Sequence, residues 1–429
     1  MMAGLDPERF EAVDINHASV QRTWSNRADL MDSKGPARKA EFYVINTCTV
    51  TGKSDFQSRQ MVRRARTWNP EARIIVTGCL VETNPESLHG LPFDYLVRPD
   101  ERRQVARIIM HGNYTASKDP GFFYHPEAGI QHRTRALVKV QDGCDLRCSY
   151  CTVPLARGKS RSLDPEKVIH QLKSLFHQGF LEAVITGINL GAYGRDMGTT
   201  LLELLLRIED EEQAPPRIRL SSLEPHEIRP DLIEYLGKSS RICPHLHLPL
   251  QSGDDQILAR MKRSYKARKF SDIIHKLHQA VPGLCLGMDV IAGFPGETDQ
   301  NFENTLRLLK SLPFAYLHVF PFSPRPGTEA AGFKDRVSST QVKSRTRVLR
   351  RLSEDRRNKF YHDHQGTLLR VLFERNESGW LRGLSDNYIP VRAPGPKELT
   401  GRLVWVQTET VTSRGMAGRI KQKDGELSR

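Results

Sequence analysis

The period with which apolar and polar positions alternate changes along the chain, and the changes divide it into three parts. Residues 1–40 are polar and irregular. Within them 9–14 reads as the end of a strand, and 16–40, rich in Ser, Asn, Asp, Lys, Gly and Pro, reads as a loop. From Glu41 the pattern sharpens. Residues 42–45 form a short strand. Residues 54–68 have helical spacing, with Arg59, Arg63, Arg64 and Arg66 on the solvated side, and 73–77 (RIIVT) are the next strand. Strand–helix–strand units make parallel neighbours. Residues 111–133 carry Gly, Pro and several His and read as a linker.

Between 135 and 321 strand and helix signals alternate. Strands are predicted near 135–140, 182–186, 217–221, 245–250, 284–291 and 315–321, and helices near 164–179, 199–212, 229–238, 266–281 and 298–312. That is about six βα units, which predicts a partial parallel barrel. Pro321, Pro324 and Pro326 then hold an extended segment. Residues 338–364 are helical and densely basic, and beyond Gly366 the period becomes two. Five short stretches with turn residues between them predict a small closed β-barrel. The fold class is α/β: an N-terminal parallel α/β domain over 1–115, a partial (β/α)6 barrel over 130–362 and a small C-terminal β-barrel over 363–429.

Charge changes this picture by adding a partner. Lys+Arg number 64 against 50 for Asp+Glu, a net charge of +14 over 429 residues. Such a surplus favours a polyanion, nucleic acid first, although a basic surface kept for solubility explains the charge alone equally well. The helix over 338–364 lies along an RNA backbone or presents a solvated face. Arg325 contacts a phosphate or sits on the surface. Trp380, Tyr388 and Trp405 offer stacking surfaces for bases, with core packing the alternative for at least one. The seven cysteines are odd in number and clustered, which argues against a disulfide framework and for a reducing compartment. There is no apolar run long enough for a membrane helix and no signal peptide, so a cytoplasmic location is expected.

The candidate chemistry is concentrated in residues 140–161, VQDGCDLRCSYCTVPLARGKSR. Cys144, Cys148 and Cys151 stand in C-x3-C-x2-C spacing, with Gly143 before them. Thiolates so close in sequence reach one centre only if the backbone wraps it. Arg147, Arg157, Lys159 and Arg161 help hold the thiols deprotonated. A structural zinc site closes with four ligands, usually as two separated pairs, and a simple ferredoxin cluster takes four cysteines. A cubane cluster with one bare iron fits three; zinc and a chance cluster are the alternatives. Cys48 and Cys79 each follow a predicted strand and so fall on one edge of a sheet. One cysteine there is ordinarily a small buried hydrophobe, whereas two at equivalent edges favour a shared metal. Thr186, Asn189, Ser221, Ser222, Glu224, Gln251, Ser252, Asp289 and Ser323 stand at predicted strand ends and point to a shared pocket. Cys243 and Cys285 lie in strand regions and read as core thiols.

The stretch DGCDLRCSYCTVPLARG resembles the radical S-adenosylmethionine (SAM) methylthiotransferases, and the resemblance spans nearly the whole chain. INTCTVT, VTGC, TGINLG, LSSLEP, LPLQSG, DVIAGFPGET and FSPRPGT follow in order at 45–51, 76–79, 186–191, 220–225, 248–253, 289–298 and 322–328. ARGKSRS, RIRLSSLEP, HVFPFSPRPGT and NYIPV are most similar to the threonylcarbamoyladenosine tRNA methylthiotransferases. The resemblance implies a 4Fe–4S cluster with an open iron on Cys144, Cys148 and Cys151, and SAM bound at that iron. It places Thr186, Gly187 and Asn189 beside the methionine amino group, and Glu224 and Gln251 against the methionine or ribose. It also puts the Gly293 backbone near the adenine and turns Asp289 toward the substrate. It implies a second 4Fe–4S cluster on Cys48, Cys79 and a cysteine upstream of both. No cysteine precedes Cys48, so the expectation is that the first strand and its cysteine lie before Met1. The C-terminal barrel resembles a TRAM domain, an OB-like RNA-binding module.

The implied activity is methylthiolation at C2 of threonylcarbamoyladenosine beside the tRNA anticodon. A flavodoxin or ferredoxin supplies the electron, and the protein acts as a monomer. Rival expectations are a sister enzyme for isopentenyladenosine, one for a ribosomal-protein aspartate, and a catalytically impaired RNA-binding protein.

Overall fold

The computed structural model describes residues 31–32, 35–36, 40–114 and 134–421. In chain order the N-terminal elements are β1 (Met31–Asp32), β2 (Gly35–Pro36), β3 (Phe42–Thr47), α1 (Gly52–Trp68), β4 (Arg73–Gly78), α2 (Cys79–Thr83), β5 (Tyr95–Val97) and α3 (Arg103–His111). Then come β6 (Arg135–Lys139), β7 (Gln141–Asp142), α4 (Val153–Arg157), β8 (Arg161–Ser162), α5 (Pro165–His177), β9 (Glu182–Thr186), α6 (Leu201–Asp210), β10 (Arg217–Leu220), α7 (Pro230–Lys238) and β11 (His245–Gln251). They are followed by α8 (Asp255–Arg260), α9 (Ala267–Ala280), β12 (Cys285–Ala292), α10 (Asp299–Ser311), β13 (Tyr316–Pro321) and α11 (Ser339–Asp363). The last strands are β14 (Leu368–Glu377), β15 (Trp380–Ser385), β16 (Pro390–Pro394), β17 (Leu403–Thr412) and β18 (Gly415–Lys421). The strand expected at 9–14 and most of the linker lie outside the described residues. The expected loop over 16–40 is not loop throughout, because β1 and β2 pair antiparallel. No described helix is long and apolar enough to cross a membrane.

The chain divides into two compact units. The first takes residues 1–125, 143–159 and 323–334. Its sheet is parallel, in the order β3-β4-β5. Both faces of β4 are covered, so after Arg73 every residue is buried and no alternation shows. Helix α1 starts at Thr51, whose hydroxyl accepts from the Ser54 amide while Ser54 caps in return. Its inner face (Met61, Val62, Ala65) packs with Ile45, Ile74, Val76 and Leu80. Arg63 and Arg64 are exposed as expected. Arg66 instead donates to the Pro70 and Ala72 carbonyls and pairs with Asp94 at 2.7 Å.

Arg325 also corrects its expectation. It is buried at 4% exposure, donates to Thr49 Oγ1 at 2.8 Å and pairs with the Asp55 carboxylate. Instead of meeting a phosphate, it ties the 323–334 segment to the start of α1.

The second unit takes residues 126–142, 160–322 and 335–429. Six parallel strands stand as two three-stranded sheets, β6-β9-β10 and β11-β12-β13. A bridge from Ile218 to Ile242 links β10 to the approach to β11. Helices α5, α6, α7, α9 and α10 occupy the predicted positions; α8, of six residues, is additional. Beyond α11 the five last strands close a barrel in the order β14-β15-β16-β18-β17 around Val371, Phe373, Leu381, Ile389, Val391 and Val406.

The closed barrel and the parallel array are locked by buried charge. Glu182 has no solvent exposure and receives Arg217 Nε together with Arg219 Nε, the latter at 3.0 Å. Arg217 donates on to Leu384 O and Asp386 Oδ1, both at 2.8 Å, and Arg219 to Ser385 O at 3.1 Å and Asp386 O at 3.0 Å. Tyr388, at φ 65°, stacks on His245 with ring centres 4.0 Å apart. The Arg219 guanidinium lies 5.2 Å from its ring centre. Tyr388 is therefore a packing residue and not a platform for a base. Trp380 remains 41% exposed, with Arg392 over its ring.

Helix α11 is likewise only half a solvated helix. Arg345 is buried against Glu297 and Asp299, and Arg356 reaches the Lys310 carbonyl. Lys343, Arg347, Arg350 and Arg351 remain exposed.

Burial alone raises a carboxyl pKa, but Arg219, Arg217 and Arg135 overcome it and hold Glu182 down to about 2 from 4.5. A depressed folded value contributes stability above about 4.5 that is lost as pH falls toward about 2. Arg217→Ala leaves Glu182 with one guanidinium fewer and should cost about 3–5 kcal/mol. The shift in the denaturant midpoint of the full chain measures it.

Candidate active site

The cysteine loop belongs to the first unit. Gly143 opens it at φ +73°, where a Cβ would stand 2.0 Å from the Lys159 carbonyl oxygen. The loop closes on itself: the Cys144 amide donates to Gly158 O at 3.1 Å, and the Cys151 amide to Cys148 O at 3.1 Å. The Val153 amide donates to Cys151 Sγ at 3.4 Å at the start of α4. The Ala330 amide donates to Ser149 O at 2.8 Å, so the 323–334 segment braces the loop. All three cysteines are half-buried. Three thiols close together in sequence on a wrapped loop, one sulfur already accepting an amide N–H, match in number and spacing the ligand set of a cubane cluster that keeps one iron free of protein.

The second pair of cysteines lies in the same unit. Thr47 and Gly78 are register partners at the ends of β3 and β4, so Cys48 and Cys79 leave the sheet side by side. Thr47 Oγ1 donates to Thr77 O at 2.7 Å and accepts from the Leu80 amide at 3.2 Å, pinning this edge. The Cys48 amide donates to Ser58 Oγ at 3.4 Å. Arg157 Nε donates to Cys79 Sγ at 3.2 Å, so the cysteine loop's own helix reaches this edge. The basic residues flanking the loop do not all serve its thiols, because Arg161 pairs with Asp142. Cys48 and Cys79 supply two sulfurs, too few by themselves for a cubane. Cys243 and Cys285 are in the second unit, 3% exposed each. Burial pushes the Cys243 thiol up to about 11 and the Cys285 thiol higher still, as in a core.

In the second unit the polar strand-end residues form two groups. Thr186 Oγ1 donates to Val138 O at 3.3 Å, and the Gly187 amide to Ser221 Oγ at 3.2 Å. The Asn189 amide donates to Gln141 Oε1 at 2.8 Å, and Asn189 Nδ2 to Glu227 Oε1 at 3.1 Å. Glu227 also pairs with Arg195 at 3.1 Å. Asn189 Oδ1, Glu227 Oε2 and His226 Nδ1 are buried with no hydrogen-bond partner. Two waiting acceptor oxygens beside the TGINLG turn fit a ligand that brings N–H or O–H donors, as the ammonium and ribose of SAM do. Sequence reading passed over His226 and Glu227. Their signal was a pair of titratable residues directly after LSSLEP, where a strand has just ended.

The second group is less open. Glu224 pairs with Arg263, and burial pushes its carboxyl up. Gln251 sits at φ 64° beside a register shift between Pro249 and Gln251, a conformation costly for a side-chain-bearing residue. The Gly293 amide, expected near adenine, donates to Glu297 Oε2 at 2.8 Å. Asp289 is not at a strand end: it lies inside β12, three residues before Ala292. Its carboxylate meets His247 Nε2 at 2.8 Å and His318 Nδ1 at 3.3 Å.

A C-x3-C-x2-C loop after the first of six parallel strands defines the class, a radical SAM enzyme. Residues 138–309 match the Radical SAM superfamily, and residues 17–97 match the uncharacterized protein family UPF0004. The threonylcarbamoyladenosine tRNA methylthiotransferase MtaB of Bacillus subtilis is 36% identical over 416 residues, covering 92% of this chain and 91% of that protein. The MtaB of Aquifex aeolicus is 37% identical over 381 residues, covering 86% and 90%. A tRNA-2-methylthio-N(6)-dimethylallyladenosine synthase of Endomicrobium trichonymphae is 30% identical over 392 residues, covering 89% and 91%. The radical SAM methyltransferase TsrM of Kitasatospora setae, solved with cobalamin and a 4Fe–4S cluster bound, shares the fold. It matches at TM-score 0.52 and 16% identity over 68% of this chain and 66% of that one. The chain belongs to the radical SAM methylthiotransferases, in the MtaB family.

Two outcomes test this site. Gly143→Ala forces a Cβ onto the Lys159 carbonyl and should leave well under the roughly four irons of a cubane after anaerobic reconstitution. Iron and sulfide analysis per chain reads it. Glu227 is pushed up to about 7 from 4.5, first by burial. A raised folded value means that the folded state binds the extra proton, so stability present below about 4.5 is lost as pH rises through about 7. Glu227→Gln should flatten that fall, read as thermal midpoints at about pH 5 and 8.

Proposed function

We propose that this chain is a tRNA methylthiotransferase that adds a methylthio group to C2 of threonylcarbamoyladenosine next to the anticodon. The observation that carries the reading is the Gly143-hinged loop of Cys144, Cys148 and Cys151, standing in a chain 36% identical to an MtaB over nearly its full length. A 4Fe–4S cluster and SAM, when bound, supply the radical chemistry that the protein itself lacks.

The chain's own residues position and seal. Cys144, Cys148 and Cys151 would hold the cluster at which SAM binds. Thr186, Gly187 and Asn189 border the methionine end, and the open oxygens of Asn189 and of Glu227 behind it would accept from it. Glu224 and Gln251 border the ribose. Cys48 and Cys79 stand at the neighbouring sheet edge, with Arg157 holding the Cys79 sulfur.

The charge surplus supports tRNA as the partner. The exposed row Lys343, Arg347, Arg350 and Arg351 and the exposed Trp380 offer phosphate and base contacts. The domains are proposed as an N-terminal methylthiotransferase domain (1–115), a radical SAM core (130–362) and a TRAM-like RNA-binding barrel (363–429). A flavodoxin or ferredoxin delivers the electron to a monomeric, cytoplasmic protein.

The second reading takes isopentenyladenosine as the base, supported by the 30% identity to the dimethylallyladenosine synthase. Incubation with tRNA carrying either modification, followed by mass analysis of nucleosides, separates the two. Product from the isopentenyl substrate alone overturns the first. Cys148→Ala should abolish SAM cleavage while leaving tRNA binding within about twofold, because the change touches no basic surface. Surviving cleavage would show that the cluster site lies elsewhere.

A further inference from the structure

His247, Asp289 and His318 come from three adjacent parallel strands, β11, β12 and β13. Pro249, Asp289 and His318 are register partners across these strands, and so are His247, Gly287 and Tyr316. In a strand alternate residues face one side, so the three side chains share one side of the sheet. Asp289 Oδ1 stands 2.8 Å from His247 Nε2 and 3.3 Å from His318 Nδ1. All three ligand atoms lie within 4.8 Å of one another. A first-row dication about 2.0–2.2 Å from each donor would hold such ligands about 3–4 Å apart. The set therefore closes on an ion with small side-chain movements.

The surroundings prepare the same geometry. His247 Nδ1 meets Tyr316 Oη at 3.4 Å, and that oxygen meets His245 Nε2 at 2.9 Å. This outer contact holds the ring so that Nε2 is the nitrogen offered, as outer partners of metal-bound histidines do. Gly287 makes the arrangement possible: a Cβ there would stand 2.3 Å from the Tyr316 ring. The His247 and His318 rings stack with centres 4.8 Å apart. The His318 side chain is 38% exposed, which leaves one side of the site reachable.

We propose that His247, Asp289 and His318 form a mononuclear site for a borderline divalent cation, zinc or ferrous iron. Two imidazoles and one carboxylate suit that class of ion. Thiolates are absent from the set, so this site differs in kind from the cysteine loop. With three protein donors, at least one position stays open for an oxygen ligand. The three ligands come from β11, β12 and β13 alone, whichever tRNA base the enzyme modifies.

Cobalt(II) is the probe, titrated into the full chain carrying Cys144→Ala, Cys148→Ala and Cys151→Ala. The expected result is about one equivalent bound, with visible absorption but without the intense near-ultraviolet band of sulfur ligation. His318→Ala, a change at a partly exposed position, should remove this binding. Asp289→Asn should weaken it by roughly tenfold or more. Zinc added to the same protein should raise the thermal midpoint, and with His318→Ala that rise should vanish. Binding untouched by His318→Ala, a sulfur band accounting for all bound cobalt, or no stoichiometric binding would each overturn the site and leave Asp289 as a plain acceptor between two histidines.

Discussion

A carboxylate without access to water must be matched by charge, and Glu182 is matched twice. Its partners Arg217 and Arg219 are themselves buried, so neither guanidinium can turn to solvent without stranding the other charges. Both spend their remaining N–H groups on the chain between Leu384 and Asp386. That requirement fixes β9 and β10 to the turn after β15. It also brings Tyr388 against His245, and His245 against Tyr316. The interior contacts of β11, β12 and β13 are built on the same buried polar framework, which tolerates little slack because each unpaired member would cost its full desolvation.

The cysteines follow a different logic, set by backbone geometry. Gly143 turns the loop where no Cβ fits, and parallel register delivers Cys48 and Cys79 to one edge. Arg157 joins the two groups through Cys79. A single guanidinium beside a sulfur is a modest electrostatic feature. Its position in the helix that follows the third loop cysteine nevertheless makes the two thiol groups parts of one compact unit.

Much of this was legible in the sequence because it is periodic or densely spaced. The strands of the parallel array and of the closed barrel are long enough to show their pattern, and the three loop cysteines need no fold to be noticed. What stayed hidden depends on partners far away in the chain. Arg325 reads as a surface arginine until Asp55, some 270 positions earlier, is seen beside it. Tyr388 looks like a base platform in the turn of a small barrel, and only His245 and Arg219 make it a packing residue. β5 has three residues, too few for any period to register. Helix α11 is uniformly basic in composition, so nothing in the sequence marks Arg345 as the buried member that answers Glu297. Asp289 was placed at a strand end because the strand runs on through Val290, Ile291 and Ala292 into a glycine turn whose start the sequence does not mark.

The turn from Leu384 to Tyr388 bears on how this chain could be recombined. A small closed barrel at one end of a chain invites grafting or removal as a separate part. Here the appendage supplies backbone carbonyls that two interior arginines of the neighbouring array require. A chimera that imports a foreign barrel must therefore carry a turn with the same carbonyl positions, or replace Glu182, Arg217 and Arg219 together with apolar residues. Sequence change is accordingly freest on the outer strands and the exposed helix face, while the inward turn is inherited with the array.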